Sequence, residues 1–239
     1  MIVDCHTHID VSADEAALSE HYAAQQTVDV SIVLGRHEDK GADGNKKLGK
    51  YVERYRSRTV GFAAIDPTVD NIGVGHLRLL REKYGLEGAV LYCSRCGFHP
   101  AHSRAMRFYE SALELAMPLF FHNTEPIPGG DAALEYSQPY QLDEVAREFP
   151  SLKIVIGAMG VPFVGQTLWM IAKHANGYAD QTVRPSSVWQ IYNMVVAANE
   201  YAVMDKLLFG SGYPLSTAGE CIETLLGFLS LIHISAPTR

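Results

Sequence analysis

Eight short, strand-like runs recur along the chain, and amphipathic, helix-like segments separate them. The runs are Ile2–Cys5, Val30–Leu34, Thr59–Ile65, Glu87–Tyr92, Pro118–His122, Leu152–Ile156, Gly177–Ala179 and Lys206–Phe209. Most are apolar rather than alternating, which is typical of strands covered on both faces. Between the second and third runs, Leu48, Val52 and Tyr55 repeat at helical spacing and form an apolar stripe. Eight such units in 239 residues predict an α/β fold, a single-domain parallel (β/α)8 TIM barrel.

A doubly wound open sheet is the alternative arrangement of alternating strands and helices. That fold usually carries a Gly-x-Gly-x-x-Gly loop after a strand, and none of the eight runs is followed by one. No linker or low-complexity segment divides the chain. The barrel is therefore favoured, and it is expected to span residues 1–229.

The last ten residues, 230–239, depart from this pattern. They read Ser-Leu-Ile-His-Ile-Ser-Ala-Pro-Thr-Arg, which resembles a translated sequencing adapter. We therefore expect an atypical tail that is a sequencing artefact and a barrel truncated at its C-terminus. A natural short tail is the alternative.

The charge balance bounds the partners of the chain. Twenty Lys and Arg against 27 Asp and Glu give a formal charge of −7, with no basic stripe. This predicts neither nucleic acid nor an anionic membrane as a partner. No run approaches the ~18–20 apolar residues of a membrane span, and no signal peptide is evident. With four cysteines, we expect a cytoplasmic protein with free thiols, while pairing into a homodimer stays open.

Two histidines stand at the end of the first run, in Val3-Asp4-Cys5-His6-Thr7-His8. Because side chains alternate along a strand, Asp4, His6 and His8 are expected to share one face. Two imidazoles on one face can bind a single divalent cation at neutral pH. The alternative is a pair of strand-end histidines bonded to backbone or water.

His122 ends the fifth run. In a parallel barrel the C-terminal ends of all strands meet at the mouth where the chemistry takes place. His122 is therefore expected beside His6 and His8. Three histidines from two strands predict an open metal site with room for water, and zinc is the expected cation.

Seven stretches of the chain resemble, in family order, the amidohydrolase superfamily, specifically its amidohydrolase-related branch. They are Val3–His8, Gly61–Pro67, Gly97–Pro100, Met117–Asn123, Phe149–Gly160, Asn176–Asp180 and Leu208–Pro214. This branch includes barrels of the aminocarboxymuconate semialdehyde decarboxylase type, which are metal-dependent hydrolases or decarboxylases of small carboxylated molecules. The resemblance implies the same class of activity here, with His6, His8 and His122 as the metal ligands.

Two positions depart from the family pattern. The family usually has a histidine after the sixth strand, where this chain has Ala158, and an aspartate after the eighth, where it has Gly212. Neither residue can coordinate a metal or transfer a proton. We therefore expect a metal that is weakly bound or absent and little ordinary catalysis; the alternative is a non-catalytic metal- or ligand-binding barrel, a pseudoenzyme. Because relatives make the turn at position 212 with aspartate, we expect no geometric need for glycine there.

Other residues near the expected mouth keep two interpretations each. Glu125 is either a replacement carboxylate for the metal or a solvated loop residue. Arg36 either binds a substrate carboxylate or pairs with the neighbouring Glu38 or Asp39. No residue is assigned a catalytic role from the sequence.

Three further expectations concern local structure. Cys93 and Cys96 form a Cys-x-x-Cys pair in what Gly97 and Pro100 predict to be a loop, so both thiols should be reduced and uncoordinated. Ser103 is expected to cap the N-terminus of its helix. Trp169 and Trp189 lie in helical segments among apolar residues and are expected to pack in the core or between helices.

Overall fold

The computed structural model describes residues 1–122 and 131–235, with side chains through residue 228. Eight strands form one sheet in which each strand pairs in parallel with the next. They are β1 Val3–Thr7, β2 Val30–Leu34, β3 Thr59–Ala64, β4 Leu86–Leu91, β5 Leu119–Phe121, β6 Ile154–Ile156, β7 Gly177–Thr182 and β8 Leu207–Gly210. The segment after β8 returns to β1, where the backbone N–H of His8 donates to Tyr213 O and that of Gly212 donates to His6 O, each at 2.9 Å. The fold is the predicted single-domain (β/α)8 TIM barrel.

Helices cover the outside of the sheet. Within the described residues they are α1 Glu15–Ala24, α2 Ala42–Arg54, α3 Val74–Tyr84, α4 Cys93–Cys96, α5 Ser103–Glu114, α6 Asp143–Glu148, α7 Val164–Lys173, α8 Val188–Glu200 and α9 Ala218–Ser235. The apolar stripe predicted for α2 is confirmed, because Leu48 and Val52 are buried against the sheet and Tyr55 is partly buried at the end of the helix. No helix in the described part of the chain is long and apolar enough to cross a membrane.

The barrel interior and the helix layer have separate apolar cores. One core lies between strands and helices and includes Leu77, Phe108 and Ile171. The other draws side chains from six neighbouring strands: Cys5, Leu34, Phe62, Ala64, Val90, Tyr92, Phe120 and Val155. The ring of Phe120 meets the imidazole of His6 edge to face, with centroids 5.2 Å apart. This inner core is the floor on which the polar residues of the barrel mouth rest.

Several element boundaries differ from the sequence prediction for identifiable reasons. The strand β7 continues to Thr182 rather than ending at Ala179, because Asp180, Gln181 and Thr182 pair with β8. The cap of α5 is His102, whose Nδ1 accepts from the Arg104 N–H at 3.2 Å, so the prediction of Ser103 as the cap was wrong.

The Cys-x-x-Cys pair and the two tryptophans also depart from expectation. Cys93–Cys96 forms one helical turn instead of a loop, and Gly97 ends that turn with a φ of +69°. Trp169 and Trp189 are largely exposed, so their predicted packing role was wrong. The inward faces of their helices are occupied by smaller apolar residues, namely Leu168 and Ile171 in α7 and Ile191 and Met194 in α8.

The predicted boundary between barrel and tail falls inside a helix. The α9 backbone is helical from Ala218 to Ser235 and so crosses residue 229 without a break. The interpretation of residues 230–239 as an atypical tail stays a prediction, and residues 236–239 lie outside the described residues.

Candidate metal centre

The structure brings the three predicted histidines together at the mouth of the barrel. The Nε2 atom of His6 lies 3.1 Å from His8 Nε2 and 3.2 Å from His122 Nε2, and the last two are 3.1 Å apart. Within the described residues, this is the group of histidine, cysteine and acidic side chains whose ligand atoms could hold one metal ion. His6 is buried, whereas His8 and His122 are partly exposed to the cavity above them.

The spacing of the three nitrogens fits a shared cation. Ligands about 2.1 Å from one metal ion lie roughly 3.0 Å apart at right angles and ~3.4 Å apart at the tetrahedral angle. Lone pairs on neutral imidazoles repel at such distances, and a cation in their midst reverses that repulsion.

The second nitrogen of His8 fixes its ring. Its Nδ1–H donates to the backbone oxygen of Leu34 at 3.0 Å, which leaves the Nε2 lone pair facing the other two histidines. Burial lowers the pKa of His8 to about 3, and the nearby charge of His6 acts in the same direction. His8 is therefore neutral at pH 7, which is the form that binds metals.

Asp180 orients His6, and sequence reasoning missed this role. The His6 Nδ1–H donates to Asp180 Oδ2 at 2.5 Å, and the same oxygen accepts from Thr182 Oγ1 at 2.8 Å and from the Ala158 N–H at 3.0 Å. Burial works to raise the pKa of Asp180, but the facing His6 and these donors hold it below its ordinary value. Asp180 is thus an ionised partner that directs the Nε2 lone pair of His6 outward, as in carboxylate–histidine–metal arrangements.

The sequence did carry a signal for Asp180. Tyr178, Asp180 and Thr182 alternate along β7, and polar residues at strand spacing near the C-terminal end indicate side chains inside the mouth. The signal was lost because the strand was predicted to end at Ala179.

Asp4 does not act as a ligand in this arrangement. Its Oδ1 accepts from the Ser211 N–H at 3.0 Å and from the His6 N–H at 3.1 Å, so the carboxylate ties β1 to the turn after β8. The register between β1 and β2 shifts between Asp4 and Thr7. This shift interrupts simple alternation, and of the predicted trio only His6 and His8 line the cavity within the described residues.

Ala158 and Gly212, where the resemblance predicts a departure from the family pattern, both line the cavity, and neither has a side chain that can bind a metal or ionise. Ala158 has a φ of +47° and uses its N–H on Asp180. Gly212 has a φ of +67°, and a Cβ added there would lie 2.7 Å from Thr182 Cγ2. The expectation that the turn has no need of glycine was therefore wrong for this chain, since both the backbone and Thr182 disfavour a side chain.

The cavity above the histidines has a volume of about 330 Å³. The residues that line it are His6, His8, Arg36, His37, Glu38, Tyr92, Arg95, His122, Ala158, Thr182, Gly212, Pro214 and Leu215. Arg36 pairs with Asp39 at 2.7 Å and with Asp10 at 3.2 Å, and Arg95 pairs with Glu38 at 2.6 Å. The predicted ion pair of Arg36 with Asp39 is therefore confirmed, and binding of a substrate carboxylate stays a prediction for a side chain that lines the cavity.

The remaining sequence candidates lie away from the three histidines or outside the described residues. The thiols of Cys93 and Cys96 are free, and burial raises the pKa of Cys96 to about 12, so it is a neutral thiol. The Cys96 Sγ accepts from Lys40 Nζ at 3.6 Å. Glu125 lies in the segment 123–130, outside the described residues.

Comparison with known structures finds barrels of the same fold. A probable 2-pyrone-4,6-dicarboxylic acid hydrolase from Acinetobacter baumannii with citric acid bound has a TM-score of 0.70 and 16% identity, over 97% of this chain and 93% of its own. The 5-carboxyvanillate decarboxylase from Novosphingobium aromaticivorans, with bound manganese, has a TM-score of 0.70 and 13% identity, over 94% and 90%. The 2,6-dihydroxybenzoate decarboxylase from Rhizobium has a TM-score of 0.67 and 13% identity, over 94% and 91%. At these identities the likeness is one of fold.

Sequence comparison gives the family directly. No curated protein matches the chain by sequence. The family model for amidohydrolases, however, matches residues 3–231, which is nearly the whole chain. The chain therefore belongs to the amidohydrolase superfamily, in its amidohydrolase-related branch.

Proposed function

We propose that this protein is a divalent-metal-dependent hydrolase or decarboxylase of a small carboxylated molecule, with His6, His8 and His122 as metal ligands. The observation that carries the proposal is the convergence of three Nε2 atoms within 3.2 Å of one another at the C-terminal ends of β1 and β5. A divalent cation held there would polarise a bound carboxylate or carbonyl oxygen and lower the pKa of a bound water. The residues around it then decide which molecule binds and how protons move.

Two neighbouring groups support a metal site rather than a structural histidine cluster. Asp180 fixes the tautomer of His6, and the Leu34 carbonyl fixes that of His8. Such outer contacts are the usual companions of metal-ligating histidines. They hold both Nε2 lone pairs toward one point before any ligand arrives.

The cavity supports a small anionic substrate. Its volume of about 330 Å³ is at the lower end of the ~300–1,000 Å³ range of ligand pockets. Arg36 and Arg95 line one wall, and Glu38 is the only carboxylate among the described lining residues. Guanidinium groups bind carboxylates in a bidentate manner. The similar structures include enzymes of 2-pyrone-4,6-dicarboxylate, 5-carboxyvanillate and 2,6-dihydroxybenzoate, all of them small carboxylated rings.

Zinc is the cation that we propose for this site. Imidazole ligands suit zinc, whereas manganese prefers carboxylate and carbonyl oxygens. Similar structures hold manganese. In this chain the residues that would bind the metal offer nitrogens from His6, His8 and His122, and position 212 offers no carboxylate. This set of donors favours zinc over manganese.

A non-catalytic, ligand-binding barrel is the second candidate function, and a specific observation favours it. Ala158 and Gly212 line the cavity where the family places its histidine and aspartate, so neither position can take a proton from water or substrate. Losing a general acid–base group typically costs 10²–10⁴-fold in rate. A protein that binds metal and carboxylate with little turnover is the expected result of that loss.

Metal binding is tested first, because both candidates depend on it. Metal-free protein is titrated with Zn²⁺ and with Mn²⁺ by calorimetry, for the wild type, for His8→Ala and for the matched control His37→Ala. His37 lines the same cavity but contacts Tyr92 instead of the three histidines. We expect one zinc per chain for the wild type and the control, and none for His8→Ala. A wild type that binds no divalent metal would remove both candidates.

Turnover then separates the two candidates. The zinc- and manganese-loaded proteins are incubated with 2-pyrone-4,6-dicarboxylate, 5-carboxyvanillate and 2,6-dihydroxybenzoate, and substrate loss is followed by absorbance. Metal-dependent turnover of any of them supports the enzyme. Saturable binding of these acids without turnover supports the binding barrel.

The proposed location is the cytoplasm. All four cysteines are free thiols, as suits a reducing compartment.

A further inference from the structure

A large apolar surface lies on the outside of the barrel, on and beside the helices α7 and α8. We call it the aromatic face, and its members are Trp169, Val188, Trp189, Val196, Tyr201 and Met204, which are exposed by between 38% and 78%. Trp169 is 67% exposed and Trp189 is 78% exposed, and they are the two tryptophans of the chain. Tryptophan usually hides most of its surface in a protein that acts alone.

The aromatic face is continuous along neighbouring helices. The ring of Trp169, on α7, meets that of Tyr201, just after α8, edge to face with centroids 5.7 Å apart. At the other end of α8, Trp189 meets Tyr192 in the same way at 6.0 Å. Trp189 and Val196 are seven residues apart and therefore lie on one side of the helix, two turns from each other.

The six members of the face are uncharged, and the charged residues beside them are Lys173, one turn from Trp169, Glu200, next to Tyr201, and Asp205, next to Met204. The helix α8, Val188–Glu200, has one charged residue, at its last position. Its other exposed polar residues, including Gln190 and Asn193, are uncharged amides. Buried centres of protein interfaces are enriched in Trp, Tyr and Met and depleted in Lys, Glu and Asp, which is the composition found here.

The area of the face approaches what a stable dimer needs. An aromatic side chain covers about 150–250 Å², so the two tryptophans at their observed exposure offer on the order of 300 Å². The other four members add roughly the same again. The sum, roughly 600 Å², reaches the upper end of the ~300–600 Å² of the largest apolar patch on a typical monomer. A rim of amides brings it closer to the ~800 Å² that each partner buries in a standard interface.

We infer that the aromatic face is the contact surface for a second copy of this chain. An interface with two-fold symmetry places the same patch on both sides, so a patch of one charge sign would repel itself. A neutral, aromatic face meets itself without that penalty and can exchange amide hydrogen bonds at its edge.

Sedimentation velocity over a range of concentrations tests this directly. We expect the wild type to sediment as a dimer with twice the chain mass of 26.3 kDa. Trp169→Glu and Trp189→Glu should each raise the dimer dissociation constant at least tenfold, since each buries a charge in the contact. The matched control is Leu79→Glu on α3, an exposed apolar residue on the opposite flank of the barrel, which should leave the dimer unchanged.

A second readout uses the two tryptophans themselves. Their fluorescence emission should shift to shorter wavelength as wild-type protein is concentrated, because the rings leave water when copies pair. Circular dichroism and zinc binding at the histidines check that each variant is folded. A folded wild type that stays monomeric at all concentrations, or a dimer that either tryptophan variant leaves intact, would overturn the inference.

Discussion

The two sides of the cavity mouth differ in whether they carry side chains that can bind a metal or ionise. On the side of β1 and β5, His6, His8 and His122 converge, and Asp180 holds His6 from behind. On the side of β6 and β8, Ala158 and Gly212 line the same cavity with no side chain that binds or ionises. On the proposal that the histidines hold a metal, the difference teaches that metal-binding residues and proton-transfer residues are separable parts of a barrel mouth, because different strands supply them.

Backbone conformation follows the same division. The proposed ligands His6 and His8 belong to or directly follow a hydrogen-bonded strand, whereas Ala158 and Gly212 lie in turns with φ of +47° and +67°. Strand positions accept large side chains readily, while left-handed positions disfavour them. Placing functional side chains on the side of β6 and β8 therefore requires changes beyond Ala158 and Gly212 themselves.

The largest expected effect comes from removing one of the three histidines on the side of β1 and β5. His122→Ala leaves two imidazoles of the three. Zinc affinity should fall by more than ~100-fold, which exceeds the loss that is typical when a residue hydrogen-bonded to a metal ligand is changed. Competition with a chromophoric chelator measures the dissociation constant. Tyr92→Phe is the control, since it keeps the ring that lies 4.7 Å from His122 and removes only a hydroxyl. Equal affinities for His122→Ala and wild type would show that the cluster is structural.

The next effect tests the hydrogen bond from His6 to Asp180. Asp180→Asn keeps the shape but removes the charge that fixes the His6 ring, so zinc affinity should fall by about 10–100-fold. Calorimetric titration measures the loss. Asp143→Asn, a surface carboxylate paired with Arg147 at 2.9 Å, is the control and should bind zinc like the wild type. Unchanged affinity in Asp180→Asn would mean that Asp180 acts on the fold alone.

A third prediction concerns adding a carboxylate on the side of β6 and β8. Gly212→Asp adds an anionic ligand at a left-handed position where its Cβ would collide with Thr182 Cγ2, so stability should drop by about 1–3 kcal/mol. Zinc affinity should rise only when Thr182→Ser accompanies it, because serine lacks the methyl but keeps the hydroxyl that bonds Asp180. Denaturant unfolding and zinc titration of the two single variants and the double variant measure the coupling. A gain in affinity from Gly212→Asp alone would show that the turn adapts without help.

The smallest effect on metal binding is expected from Ala158→His. Its backbone N–H already serves Asp180, and a histidine side chain there adds a proton carrier to the cavity without adding an anionic ligand. Zinc affinity should therefore stay within about threefold of wild type, or roughly 0.7 kcal/mol. Any gained turnover should follow the titration of the new imidazole. An affinity gain as large as that of the double variant would place the new histidine in the metal shell.

Much of this architecture follows from local sequence, and the rest depends on distant pairing. Apolar runs ending in histidine were enough to predict that His6, His8 and His122 share the mouth. The role of Asp180 was missed because hydrogen bonds to β8, not local propensity, carry β7 on to Thr182. The need for glycine at 212 was missed for the same reason, since the methyl group that would crowd a side chain there belongs to Thr182, in the unpredicted end of β7. The tryptophans were assigned to packing because helical periodicity cannot say which apolar residues face outward on a well-covered barrel.

The closure of the barrel has a consequence for how the protein folds. Asp4 bonds to Ser211 across 207 residues, and His6 bonds to Asp180 across 174. Contacts of such long range form late, because the entropy of closing the loop is lost before the contacts repay it. The proposed metal site therefore needs the strands β7 and β8 in place, even though two of its proposed ligands, His6 and His8, lie in and directly after β1. Under the proposed function, metal binding would follow the completion of folding, and its free energy would stabilise only the closed barrel.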